Sequence, residues 1–224
     1  MGRREELLLE LERLNQAQNC PKADISVCIC AGNAWRTINP VLEALWVQGL
    51  LVDLITSSDE KARDPTKVIL KECGEWMTTH RSKAINRYIY MGEYPHRDRL
   101  DNLQAHARRA MLEEVLTDYV FFLDADVLLD PGTLRRACNI ADGEPDGWGA
   151  LCVQYNHRVD HEQWGATLMK TQVAKDVGFD GREFCGCVNL KRDLKAKGLE
   201  MKHIEGITAQ HLKWGAVRTV VTGG

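Results

Sequence analysis

The hydrophobic positions fall into short blocks whose period changes along the chain. Residues 4–17 place Leu7, Leu11 and Leu14 at helical spacing with charges between them, the pattern of an amphipathic helix. Its apolar face suits packing on its own domain and also pairing with a second copy in a homodimer. Residues 25–31, ISVCICA, form a continuous apolar run, as in a strand covered on both faces. Gly32-Asn33 marks a turn, a helix is expected from about Pro40 to Gln48, and Gly49 closes it. LLVDLIT at 50–56 reads as a second strand, followed by the polar SSDEKARDPT. Strand, helix, strand in this order predicts a parallel sheet with crossover helices.

Over 66–90 the pattern is mixed: VILKECGEW and AINRYIYMG each suit a strand or a short helix. Arg99 to Leu116 is expected to be helical, with Leu103, Ala107, Ala110, Met111 and Leu116 on one side. YVFFL at 119–123 is a buried strand that stops at Asp124-Ala125-Asp126. A helix opening at Pro131, a strand at 149–155, a weaker strand at 167–170 and a short helix TQVAKDVG follow. VNLKRDLKAKG at 188–198 is a helix closed by Gly198, and the short strand EMKHIEG leads into ITAQHLKWG. The periodicity predicts one α/β domain at 21–224, with a mostly parallel central sheet and flanking helices, behind the amphipathic helix at 1–20.

Composition narrows the function classes. The chain has 224 residues, 44% hydrophobic and 27% charged, with 29 basic and 32 acidic side chains for a net charge of -3. That balance argues against a dedicated nucleic-acid coat or a polybasic membrane protein. No apolar run approaches the roughly 20 residues of a membrane helix. The N-terminus lacks a signal peptide's apolar core and cleavage site, so the expected address is cytoplasmic. Eight cysteines, at 20, 28, 30, 73, 138, 152, 185 and 187, include no CxxC pair, which removes the spacing of a structural zinc site. Reduced thiols are expected there; Cys185 and Cys187 are the pair that invites attention.

The most informative stretch is FFLDADVLLDP. Along an extended backbone, residues i and i+2 point the same way, so Asp124 and Asp126 share a side just beyond five apolar residues. Two carboxylates held together repel. A hard divalent cation, Mg²⁺ or Mn²⁺, resolves that repulsion and is commonly shared with a substrate's phosphates. In open α/β sheets the ligand crevice lies at the carboxyl ends of the strands. The plainer alternative is a pair of solvated turn aspartates capping the next helix.

From ISVCICAGN through DYVFFLDADVLLDPGTL to VGFDG, LKRDLKAKG and AQH, residues 25–211 resemble the GT-A glycosyltransferases, the nucleotide-sugar-dependent class with a DxD motif. Within it, LQAHARRAMLEEVLTDYVFFLDADV looks most like the Anp1-type mannosyltransferases and the family-2 enzymes. The resemblance implies a UDP- or GDP-sugar donor, with Asp126 as the most direct metal ligand and Asp124 as ligand or ribose partner. It offers His211 as third ligand, an imidazole suiting Mn²⁺ better than Mg²⁺. It also implies that Asn33 and the backbone near Ala31 meet the base or ribose. Asp59, after Thr56-Ser57-Ser58, would meet the base edge, and Arg99 and Arg108 the diphosphate or base. Trp164 is offered as a ring for sugar stacking.

The chain departs from the family pattern in one place. Many inverting family-2 enzymes carry an acidic pair after the GFD segment, one member acting as general base. Laid ungapped on that pattern, this chain has Gly186-Cys187-Val188-Asn189 there, and Asp180 and Glu183 are the nearest carboxylates. Glu183 acting as base from a shifted loop, transfer with retention, and lost catalysis all account for it. The Anp1-like look and His211 favour retention. A nucleotidyltransferase is the other enzymatic reading, though CAGNAWRTINP has one Gly and one Arg where those enzymes carry a glycine-rich basic loop. A degenerate nucleotide-sugar-binding domain is the non-enzymatic one. The acceptor is open among a glycan, a metabolite, a lipid-linked sugar, a protein and a modified DNA base. The last is suggested by the basic residues between His80 and Arg109.

Overall fold

The computed structural model describes residues 25–31, 34–46, 48, 50, 52–58, 66, 68–70, 86–90, 100–144, 146–155, 164–177, 179 and 186–212. The amphipathic helix expected at 1–20 lies outside them. The strands are β1 (Ile25–Cys30), β2 (Val52–Ser58), β3 (Asn86–Tyr90), β4 (Tyr119–Asp124), β5 (Val127–Leu129), β6 (Trp148–Tyr155), β7 (Ala166–Lys170) and β8 (Glu200–His211). The helices are α1 (Ile38–Trp46), α2 (Leu100–Glu113), α3 (Thr133–Gly143), α4 (Thr171–Val177) and α5 (Gly186–Ala196). Within the ambiguous 66–90 region, Asn86–Tyr90 is a strand. The helix expected to open at Pro131 starts at Thr133 instead.

The strands form one sheet in the order β3-β2-β1-β4-β7-β6-β8-β5. The half built of β3, β2, β1 and β4 is parallel throughout. Beyond it β7 pairs antiparallel with β4 and β6, and β6 pairs parallel with β8. The apolar run of β4 feeds both faces, as alternation requires. Phe121 and Leu123 join Ile25, Val27 and Ile29 of β1 beneath α1 and α3. Val120 and Phe122 join Cys28 beneath α2, α4 and α5. Phe121 and Phe122 are both essentially fully buried, each contributing about 1.5–3 kcal/mol of transfer free energy.

One connection bends the sheet. Only Ala125 and Asp126 separate β4 from β5, yet β5 pairs with β8 at the far edge of the sheet. Four strand steps in a flat sheet span about 19 Å, whereas the three-residue step from Asp124 to Val127 reaches at most about 11 Å. The far edge must therefore curl back over the end of β4. β8 supplies the bend: Val153 faces Ile204 but Gln154 faces Thr208. The residues between, 205–207, form a bulge around Gly206, whose φ of 70 suits a residue without a Cβ. The two segments expected as EMKHIEG and ITAQH are thus one strand with a kink.

The chain leaving β5 is fixed by Gln48, which is fully buried. Its amide donates to the Ala44 carbonyl (2.7 Å) and the Asp130 carbonyl (3.2 Å), and its oxygen accepts from the Leu134 N–H (3.1 Å). Gly132 gives α3 no side-chain cap, so Gln48 caps that helix from a distance. At the amino edge, Ser26 donates to Asp53 (3.0 Å) and its N–H reaches Thr117 Oγ1 (2.9 Å), tying β1 to β2 and to the turn before β4.

Four described cysteines, Cys28, Cys30, Cys138 and Cys152, carry thiols. Cys187 is disulfide-bonded, against the all-thiol expectation. No helix among the described residues is long and apolar enough to cross a membrane.

Gln48→Leu should lower unfolding free energy by about 1–3 kcal/mol, because the Leu134 N–H loses its partner in a buried place. Denaturant unfolding of the variant checks this; an unchanged midpoint would contradict the remote cap.

Candidate active site

The carboxyl ends of β1, β2 and β4 lie side by side, because Cys30 is in register with both Ser57 and Asp124. The order around them reverses between β1 and β4, the position where open α/β sheets bind ligands. The Ala31 N–H donates to the Ser57 carbonyl (2.8 Å), so the chain leaving β1 starts from a fixed point. Ala31 is buried. Asn33, Asp59, Arg99 and Glu183 lie outside the described residues.

Asp124 closes β4 and its N–H donates to the Gly165 carbonyl (2.8 Å). Its carboxylate receives the Arg108 guanidinium at 3.2 Å. Arg108, inside α2, is buried and lies 4.6 Å above the Trp164 ring. Trp164 in turn lies parallel to Phe122, centroids 5.1 Å apart, and tilts against Phe179. Two residues of the expected site thus have partners within the protein. Arg108 is the counter-charge of Asp124. Trp164, 7% exposed, is an aromatic floor under Arg108 with little ring surface left for a sugar. The neighbouring Arg109 donates to the Phe179 carbonyl (2.7 Å), so consecutive residues of α2 hold both the β4 terminus and the start of the segment after α4.

Asp126 follows in the turn and meets a different partner. Val127 pairs with His211 in the β5–β8 ladder, and the Leu212 N–H donates to the Asp126 carbonyl (2.7 Å). That pairing brings His211 Nε2 to 3.2 Å from Asp126 Oδ2, both side chains about 30% exposed. Burial pushes the Asp126 carboxyl above its usual range, His211 pulls it down, and the charge of Asp124 pushes it further up. Cys30, between Arg108 and Asp124 in the same cluster, has its thiol pushed up to about 11, chiefly by burial; it is an inert wall residue rather than a nucleophile.

Three features had no place in the sequence argument. Gly165 is one: a Cβ there would collide with the Tyr155 hydroxyl and with Asp124 Oδ2, so only glycine admits both groups. The second is Tyr155, whose ring stacks on His211. The third is the Gly206 bulge. None stands out in a single sequence, because each acts through neighbours far along the chain.

Among the described residues no group of three or more His, Cys, Asp or Glu side chains is gathered in a form ready to hold a metal ion. The donor set is Asp126 with His211, and Asp124 is engaged by Arg108 close by. An imidazole and a carboxylate, half-open to solvent and short of one neutralising charge, fit a divalent cation whose remaining positions a ligand's oxygens fill.

The chain belongs to glycosyl transferase family 2, which it matches over residues 26–190. Its fold is that of the GT-A glycosyltransferases. The mannosyltransferase PcManGT from Pyrobaculum calidifontis, in complex with GDP-Man and Mn²⁺, superposes with a TM-score of 0.67 at 16% identity, over 93% of this chain and 65% of that one. The glucosyl-3-phosphoglycerate synthase of Mycobacterium tuberculosis, with Mn²⁺ and UDP-Glc, gives 0.59 at 16% identity, over 91% and 74%. S. aureus TarS gives 0.63 at 13% identity, over 85% and 37%. The chain thus spans about two thirds of the first of these and just over a third of the last. No curated protein matches it.

A carboxyl held above its usual range loses stability on ionising. Metal-free Asp126→Asn should therefore melt at or above the wild-type temperature at pH 7, by about 2–4 °C for each kcal/mol relieved. The gap should close as the pH falls into the carboxylate range and the wild-type group takes up its proton. Mn²⁺ should raise the wild-type melting temperature and leave the variant's unchanged. A clearly lower melting temperature in the metal-free variant would contradict this reading.

Proposed function

We propose that the protein transfers a sugar from a UDP- or GDP-sugar to a hydroxyl acceptor, using Mn²⁺ or Mg²⁺ held by Asp126 and His211, with Asp124 beside them. The observation that carries the reading is the 3.2 Å approach of His211 to Asp126 at the carboxyl edge of the sheet. Similar folds that hold GDP-Man with Mn²⁺ and UDP-Glc with Mn²⁺ support the choice of donor and ion. When bound, the ion stabilises negative charge on the departing diphosphate.

The chain's own residues do the rest. Arg108, fixed on Trp164, offsets the charge of Asp124, so that a second carboxylate stands beside Asp126 with a smaller upward push on its carboxyl. The backbone at Ala31 and the side chains of Asn33 and Asp59 are assigned to the base and ribose, and Arg99 to the diphosphate. With Arg108 withdrawn to Asp124, Arg99 is the one remaining arginine candidate for that role. Cys28, Cys30, Cys138 and Cys152 as thiols support a cytosolic address; the Cys187 disulfide speaks against it.

Transfer with retention is part of the proposal. Gly186 to Asn189, where an acidic pair is expected of an inverting enzyme, open α5 and carry no carboxylate. A donor phosphate oxygen then takes the acceptor's proton, and Glu183 is not required as base. The acceptor class stays open among glycans, metabolites, lipid-linked sugars, proteins and modified DNA bases.

Glu183→Gln should reduce the transfer rate by less than tenfold, and NMR of the product should show the donor's anomeric configuration. An inverted product with a loss of about 10²-fold or more, the usual contribution of a general base, would make Glu183 the base. Incubation with UDP- and GDP-sugars plus Mn²⁺ should give sugar transfer or slow donor hydrolysis that stops in EDTA; turnover unaffected by EDTA would remove the ion from the account.

A further inference from the structure

Tyr155 is the last residue of β6, and nothing in the reading of Asp126 and His211 as cation ligands requires it. Its ring is buried and lies nearly parallel to the His211 imidazole, with centroids 5.5 Å apart and planes 21° apart. Its hydroxyl and Asp124 Oδ2 both crowd the place a Cβ on Gly165 would take. One side chain therefore touches the ring that reaches Asp126 and borders the carboxylate that Arg108 holds.

The backbone explains the stack. Because of the bulge at 205–207, Tyr155 faces Ala209 of β8. His211 lies two residues further on, on the same face. Tyr155 and His211 are thus diagonal neighbours across the strand pair, a separation that aromatic rings can span. β6 ends at Tyr155, so beyond it no strand residue of β6 supports the imidazole from this side. Burial and the two aspartates push the phenol well above its usual range, so it stays neutral beside the carboxylates.

We propose that Tyr155 is a positioning residue of the cation site: it sets the plane of the His211 imidazole so that Nε2 faces Asp126, and it walls the Asp124 carboxylate from below. The ligands are then arranged before the donor arrives, and the ordering cost on binding falls. This inference rests on the reading of His211 as a cation ligand.

The test is Mn²⁺ affinity, followed by the EPR signal of the free ion, for wild type, Tyr155→Phe, Tyr155→Leu and His211→Ala. Melting in EDTA reports each fold. His211→Ala should weaken Mn²⁺ binding about 10–100-fold, and Tyr155→Leu should approach that loss, the usual effect of removing a group that orients a ligand. Tyr155→Phe keeps the stacked ring and should retain affinity within a few-fold of wild type. Wild-type affinity in Tyr155→Leu alongside a loss in His211→Ala would overturn the Tyr155 role and leave the cation site standing. Wild-type affinity in His211→Ala would overturn the cation reading itself. A loss in Tyr155→Phe as large as in Tyr155→Leu would overturn the stacking argument. If the leucine variant fails to fold, Tyr155→Met, of similar length without a flat face, takes its place with the same outcomes.

Discussion

Two carboxylates one residue apart at the end of a buried strand form an arrangement that water alone cannot relieve. Each needs a counter-charge, and each receives one of a different kind. Asp124 has a permanent cation, Arg108, seated on Trp164 and shielded from solvent. Asp126 has a titratable one, His211, at 3.2 Å. The asymmetry has a chemical consequence: Asp124 keeps a permanent counter-charge, whereas the pairing of Asp126 with His211 depends on protonation, and in the proposed function a divalent cation completes it. The upward push on the Asp126 carboxyl from burial and from Asp124 measures what is left over. Stability given up at such a place is what a binding site requires.

The bent sheet exists in the service of the same pair. Asp126 and His211 are 85 residues apart in sequence, and they meet because β5 is too close to β4 along the chain to reach a flat far edge. The Gly206 bulge lets β8 turn, the β5–β8 ladder sets His211 opposite Val127, and Gln48 fixes the backbone on either side of Pro131. Gly165 brings β7 close enough for Asp124 and Tyr155 to share one small space. Disturbing any of these changes the geometry of Asp126 and His211 without touching either side chain.

The parallel half of the fold was legible in the sequence because its signals are local. Apolar runs ending in turn residues, and helices with one apolar side, gave β1, α1, β2, α2 and β4 within a few residues. The DADV turn behind YVFFL was legible as two carboxylates at the end of a buried strand. The antiparallel half was less legible: β8 looked like two pieces because the bulge interrupts its alternation, and α3 looked as if it began at Pro131 because its cap comes from Gln48, 86 residues before the helix's second residue. Arg108 and Trp164 stood out as residue types, but their partners, Asp124 and Phe122, were not legible. Residue type shows that an arginine or a tryptophan is available, while burial and partners decide whether it faces a substrate or holds another side chain. Tyr155 and Gly165 gave no signal at all, since a tyrosine at a strand end and a glycine before a strand are commonplace.

The central claim is that the cation sits between β4's turn and the end of β8. Crystals soaked with Mn²⁺ and UDP or GDP test it most directly, through the anomalous scattering of the metal. The account predicts one strong anomalous peak within bonding distance of Asp126 Oδ2 and His211 Nε2, about 2.0–2.2 Å, with diphosphate oxygens on its open side and Arg108 still on Asp124. A peak ligated elsewhere, or nucleotide bound at this edge with no metal near His211, would contradict it.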